Sequence, residues 1–155
     1  MDKAELLTVI REAHSTLVAA AAALDDEALL APAPGLDGWT RKDVLAHVEW
    51  CNRHAADVIE GVRTGIDPYP GTDNEQPWDV DADNARILEE NRGRTVADVR
   101  HGEAASFERL LAAIERATDD ELFGQDPQPW LNGSVAETVE GDSTRHYPDH
   151  VPHLA

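Results

Sequence analysis

Cysteine is almost absent: Cys51 is the only one in 155 residues. A single thiol cannot close an internal disulfide, and the lack of others excludes both secreted disulfide scaffolds and thiolate zinc fingers. A reducing compartment follows. Long apolar runs are missing too. The longest, residues 17–24, is mostly alanine and falls far short of the roughly 20 residues a membrane helix needs. The start, MDKAELLTVI, places Asp2 and Glu5 where a signal peptide would be positive, and shows no apolar h-region or small-residue cleavage site. A soluble, cytoplasmic protein without membrane contact is expected. Basic residues are scarce: 13 Lys plus Arg stand against 31 Asp plus Glu, a formal net charge of −18. Such a surface repels phosphate backbones and anionic lipid heads, so no nucleic acid is expected as a partner. The acidic residues are scattered, which reads as a solvated surface that keeps the chain soluble. No Ser-His-Asp signature, Gly-rich phosphate loop or dinucleotide fingerprint is present.

What is present is helical periodicity. The length suits a single domain over 1–155, large enough to need neither metal nor disulfide for its core. Leu6, Leu7, Ile10, Leu17, Ala21 and Leu24 recur at spacings of three, four and seven, which predicts a first helix over 2–24 with one buried stripe. Residues 31–38, APAPGLDG, cannot continue it. Thr40, with Asp43 three residues on, caps a second helix running to about Thr64 through Val44, Leu45, Val48, Ala55, Val58, Ile59 and Val62. Residues 65–78 hold three prolines and no periodicity, the mark of a long crossover or active-site loop. A third helix, in two pieces, starts near Asp79, breaks at Gly93 and restarts after the cap Thr95. A loop over 124–133 follows, and Ser134 caps a last helix through Val135, Val139, His146, His150 and Leu154. No strand-like alternation and no internal repeat is visible. Four amphipathic helices with long connections point to an all-α four-helix bundle, an architecture that places metal ligands on inward-facing helical positions.

His146 and His150, four apart on one helix face, can chelate one ion side by side. His47 lies among Val44, Val48 and Cys51 on helix two, so a third imidazole can point into the same interior. His54, seven residues later on that face, is the rival ligand or a group at the rim. Three neutral nitrogens leave a coordination position open, the plan of catalytic rather than structural zinc. Imidazoles equally suit nickel, copper or iron. His14 reads as a paired core histidine, His101 as solvent-facing and His153 as exposed or frayed. Asp142, four before His146, is a candidate acceptor for that ring's free proton, with a plain surface acid as the alternative. Cys51 reads as packing rather than a nucleophile. Trp39, Trp50, Trp78 and Trp130 read as residues that pack loops onto the bundle.

Residues 38–50, GWTRKDVLAHVEW, and 143–154, STRHYPDHVPHL, together resemble the DinB superfamily of four-helix-bundle metal proteins. Within it, residues 78–99, WDVDADNARILEENRGRTVADV, and 119–124, DDELFG, look like the branch containing the colibactin self-resistance proteins. The likeness spans nearly the whole chain. It implies that one histidine of helix two and an HxxxH pair of the last helix hold the metal, positions that match His47, His146 and His150. It also implies a homodimer and, by analogy with actinobacterial relatives, a mycothiol-type thiol cosubstrate. One departure stands out. Pro148 sits between the paired ligands, where it removes a helix hydrogen bond and clashes with the Thr144 carbonyl, at a cost of roughly 3 kcal/mol in a regular helix. Pro152 repeats the problem, so a kinked ligand helix is expected.

The functional expectation is a divalent-metal-dependent enzyme, with zinc or nickel foremost, that transfers a low-molecular-weight thiol onto electrophilic small molecules. A metal-dependent hydrolase that detoxifies a reactive metabolite is the alternative enzyme, with the 65–78 loop shaping its pocket. A non-catalytic protein that binds a small molecule or metal is the third reading.

Overall fold

The computed structural model describes residues 1–70 and 79–155. Among them are eight α-helices: α1 Lys3–Ala22, α2 Asp26–Leu30, α3 Arg41–Thr64, α4 Val80–Asn91, α5 Val96–Arg116, α6 Asp119–Phe123, α7 Val135–Asp142 and α8 His146–His150. A closing 3-10 turn covers Val151–Leu154. No strand occurs among the described residues; an isolated bridge joins Pro32 to Thr40. The all-α bundle read from the sequence is what forms, from α1, α3, α5 and the α7–α8 segment.

The caps sit where local chemistry puts them. The Thr40 hydroxyl accepts from the Asp43 amide while the Asp43 carboxylate accepts from the Thr40 amide, a complete capping box, and Ser134 with Glu137 makes another. Thr95 caps α5 by accepting from the Asp98 amide. The short α2 and α6, capped by Asp25 and Thr118, hold too few residues to show a period, so the hydrophobic pattern reveals neither.

α3 is the central helix. It packs against α5 most extensively and also against α7 and α4, so it is buried nearly all round, polar residues included. Three of those polar residues make hydrogen bonds that tie α3 to its neighbours. Lys42 donates to the carbonyls of Arg92 and Arg94 at 3.2 and 2.7 Å, closing the turn between α4 and α5. Glu49 accepts from Arg94 at 2.6 Å. Asn52 donates to the Ser106 hydroxyl and accepts from the fully buried Tyr147 hydroxyl at 2.5 Å. That last bond fixes α8 against α3.

The expected last helix is interrupted at residues 143–145, between α7 and α8. The break settles the two prolines. Pro148 becomes the third residue of α8 and Pro152 an early residue of the 3-10 turn. Amides in a first turn have no intrahelical acceptor, so Pro148 costs no hydrogen bond there. Thr144 now lies outside α8. Residues 71–78 of the long loop, Trp78 included, lie outside the described part, and the expectation that this loop shapes a pocket lies there with them.

Candidate metal centre

Three imidazoles meet on the inner side of α3 and α8. The Nε2 atoms of His47 and His146 are 3.1 Å apart, and those of His146 and His150 are 2.8 Å apart. One ligand atom from each of the three lies within 4.8 Å of the others, the one such cluster of metal-ligating side chains found among the described residues. Three nitrogens around a tetrahedral ion at about 2.0–2.1 Å stand roughly 3.3–3.4 Å from one another, so small ring movements would admit a cation. The i, i+4 pair was legible from the sequence, and the fold brings His47 to it.

Burial keeps these rings neutral. It lowers His47 to about 4, with the charge of His146 adding to the effect. It lowers His150 to about 3, helped by His146, His47 and His153. His146 is also lowered by burial, although Asp142 and Asp149 pull it the other way. Neutral imidazole is the form that offers a lone pair. The Nδ1 atoms of His47 and His150 are buried with no hydrogen-bond partner among the described residues. The Nε2 atoms are the ones that face one another, and theirs are the lone pairs an ion would take.

The other histidines separate cleanly. His54 stays at the rim, where its Nδ1 donates to Asp142 Oδ2 at 2.6 Å and its ring stacks on Trp50 at 5.1 Å. Asp142 therefore serves His54 with its carboxylate, while its charge and a backbone hydrogen bond act on the His146 ring. His14 is a paired core residue, donating to Glu103 at 2.6 Å and stacked on Phe107. His101 is exposed. His153 is not frayed: its Nδ1 donates to the Pro34 carbonyl at 2.6 Å.

A cavity of about 310 Å³ opens in front of the trio. Trp39 and Trp50, read as loop packing, are among its walls, and Trp39 meets the His47 ring edge-on. Cys51 lines it with Sγ 3.7 Å from His47 Nε2. Burial, and next the charge of Asp142, raise this thiol well above its ordinary value, so it stays protonated and is no nucleophile at neutral pH. Residues of α4, among them Asp83 and Ile87, close the far side. Sequence reasoning missed them, since the α4 pattern states only that a helix forms and not which element it faces. Tyr69 was missed as well: its hydroxyl donates to Asp57 at 2.7 Å and its ring lies 5.0 Å from His54.

Residues 10–142 match the model of the family described as mycothiol maleylpyruvate isomerase N-terminal domain. The chain belongs to that family. The membership agrees with the DinB-like resemblance, and the matched span includes His47 but ends before His146 and His150. Among solved structures, an uncharacterised protein from Escherichia coli UTI89 superposes with a TM-score of 0.81 at 16% identity, covering 99% of this chain and 90% of that one. The colibactin self-resistance protein ClbS, in complex with a dsDNA, gives 0.81 at 15% identity over 99% of this chain and 93% of its own. The mycothiol-dependent maleylpyruvate isomerase gives 0.80 at 18% identity; all of this chain is covered, and it spans 61% of the isomerase. No curated protein sequence matches the chain.

One expectation is corrected here. Nucleic acid was excluded on net charge, yet ClbS, a protein of this fold, is found with DNA. A net charge sums the whole surface, whereas DNA meets only a patch of it, so the sum does not decide. Among the described residues no helix is long and apolar enough to cross a membrane.

Proposed function

We propose that His47, His146 and His150 hold one divalent transition metal, zinc or nickel, and that the chain is a metal-dependent transferase moving a mycothiol-type thiol onto electrophilic small molecules. The observation that carries the reading is the convergence of three neutral Nε2 atoms on the wall of one cavity. The similarity to a mycothiol-dependent isomerase supports the choice of thiol. A bound ion with three protein ligands supplies an open position at which a thiol sheds its proton near neutral pH.

The chain's own residues do the rest. Burial of the three rings keeps their lone pairs available, and Trp39, Trp50 and Ile87 keep water from the reacting atoms. The Asp142 carboxylate accepts from His54 Nδ1 and orients that ring at the wall of the cavity. Cys51, held protonated, fills space beside His47 and leaves the attacking sulfur to the cosubstrate.

Elemental analysis of the native protein tests the metal. Stoichiometric zinc or nickel is expected, His47→Ala should lose it, and His101→Ala should keep it; metal-free protein that takes up neither ion refutes the reading. Melting temperatures with mycothiol, bacillithiol and glutathione then test the thiol, since a ligand of the folded state raises apparent stability. A metal-loaded protein that no thiol stabilises would overturn the transferase reading.

A further inference from the structure

One side of the cavity stands on two of the three candidate ligands. Leu36 and Trp39, both on its wall, belong to a small turn over residues 33–39. That turn is closed on itself: the Ala33 amide donates to the Trp39 carbonyl at 2.8 Å, the Trp39 amide to the Leu36 carbonyl at 3.2 Å and the Leu36 amide to the Ala33 carbonyl at 3.3 Å. Gly35 and Gly38 supply the left-handed backbone, with φ of +77° and +78°, on which so tight a closure depends. A turn bonded this way moves as one piece, on the bridge between Pro32 and Thr40 at its base.

Two supports set where it rests. On one side Trp39 meets the His47 ring edge-on, with 5.5 Å between centroids. On the other, His153 donates from Nδ1 to the Pro34 carbonyl at 2.6 Å, the one hydrogen bond that reaches residues 33–39 from outside the turn among the described residues. The same imidazole lies over Gly35, where a Cβ would stand 3.4 Å from its Cε1 and Nδ1. His153 follows His150 by three residues, where α8 tightens into the 3-10 turn. Three residues complete one turn of such a helix, so the two side chains lie nearly eclipsed, and their ring centroids are 5.7 Å apart. Contacts thus run from His150 through His153, Pro34 and Trp39 to His47, joining one candidate ligand to another over the cavity. Both end rings have a buried Nδ1 without a hydrogen-bond partner, so an ion at their Nε2 atoms would add the anchor that their outer nitrogens lack.

We infer that His153 is a positioning residue that makes this wall of the cavity depend on the metal centre: an ion held by His47 and His150 steadies the turn at 33–39, and a molecule pressed against Leu36 and Trp39 strengthens the hold on the ion. The second effect follows from the first, because coupling between two binding events is reciprocal. The inference rests on the proposal that the trio holds an ion, and it is independent of which thiol or electrophile the cavity takes.

Amide hydrogen exchange on the full chain, treated with chelator and then reloaded with zinc, reads the turn at Ala33, Leu36 and Trp39, whose amides are released when the turn opens locally. Leu110 and Ile114, fully buried in α5, report overall stability in the same experiment. Zinc should slow exchange at the three turn amides roughly tenfold, within the range usual for coupled sites. His153→Ala, which removes none of the trio, should bind zinc at the same stoichiometry, while the slowing falls to about threefold or less. His153→Asn, whose side-chain amide can donate from near the place of Nδ1, should recover most of it. Zinc bound at full stoichiometry with the three amides unmoved, or slowed as much in folded His153→Ala as in the wild type, overturns the inference and leaves the metal site standing. A wild type that takes up no zinc overturns both, and the stoichiometry tells the two failures apart.

Discussion

Removing metal should leave a protein whose stability drains away in mild acid. In the unfolded chain the three rings take a proton near their ordinary value of 6.5; in the folded chain His47 does so only at about 4 and His150 at about 3. Between those values the unfolded state binds more protons, so stability must fall as the pH drops below about 6.5. For each ring, every pH unit crossed in that window removes about 1.4 kcal/mol; from about pH 7.5 to 4.5 each of the two rings then removes about 2.5 kcal/mol, or about 5 kcal/mol together. His146, lowered as well, adds to the loss. That is a large part of the 5–15 kcal/mol or so that holds a typical domain together. Urea melts of chelator-treated protein at intervals across this range measure it, with His47→Leu/His150→Leu as the reference. The wild type should lose about 5 kcal/mol more than the double variant over the same interval. Parallel curves would refute the burial of neutral rings on which the site reading depends. Zinc should raise the whole curve without flattening it, because the unfolded rings still take up protons below about 6.5 while the ion keeps the folded ones from doing so.

The bond from Tyr147 to Asn52 joins α8 to α3 in a fully buried setting. Tyr147→Phe leaves the Asn52 carbonyl without that partner and should cost about 1–3 kcal/mol, or about 2–4 °C of Tm per kcal/mol at this size; it should also weaken metal retention, and zinc competition against a chelator of known affinity checks this. A Cβ on Gly61 would stand 2.8 Å from the Ile66 carbonyl oxygen and from Pro68, and 3.0 Å from the Trp130 ring. Gly61→Ala should therefore destabilise the protein by about 1–3 kcal/mol in spite of alanine's helix propensity, as denaturant melts would show; a stabilised variant would mean that the segment after α3 is not packed onto that helix.

Much of this protein is local and therefore legible in its sequence. The stripe of α1, the caps Thr40, Thr95 and Ser134, and the i, i+4 pair His146 and His150 follow from hydrogen-bond chemistry and helical period within a few residues. The choice between His47 and His54 does not, since both lie on one face of α3; what separates them is which turn of α3 meets α8, and the buried Tyr147 bond sets that height. The role of Asp142 was likewise undecidable: its spacing to His146 is right, but the packing of α7 on α3 presents its carboxylate to His54. The prolines read as a threat to the ligand pair because a sequence shows where a helix can continue and not where it stops. The break at residues 143–145 makes Pro148 a first-turn residue, and the pair remains aligned. Periodicity assigns a residue to a face; only the packed bundle decides what that face meets, because the contacts that fix height and rotation join residues about a hundred positions apart, such as Asn52 and Tyr147.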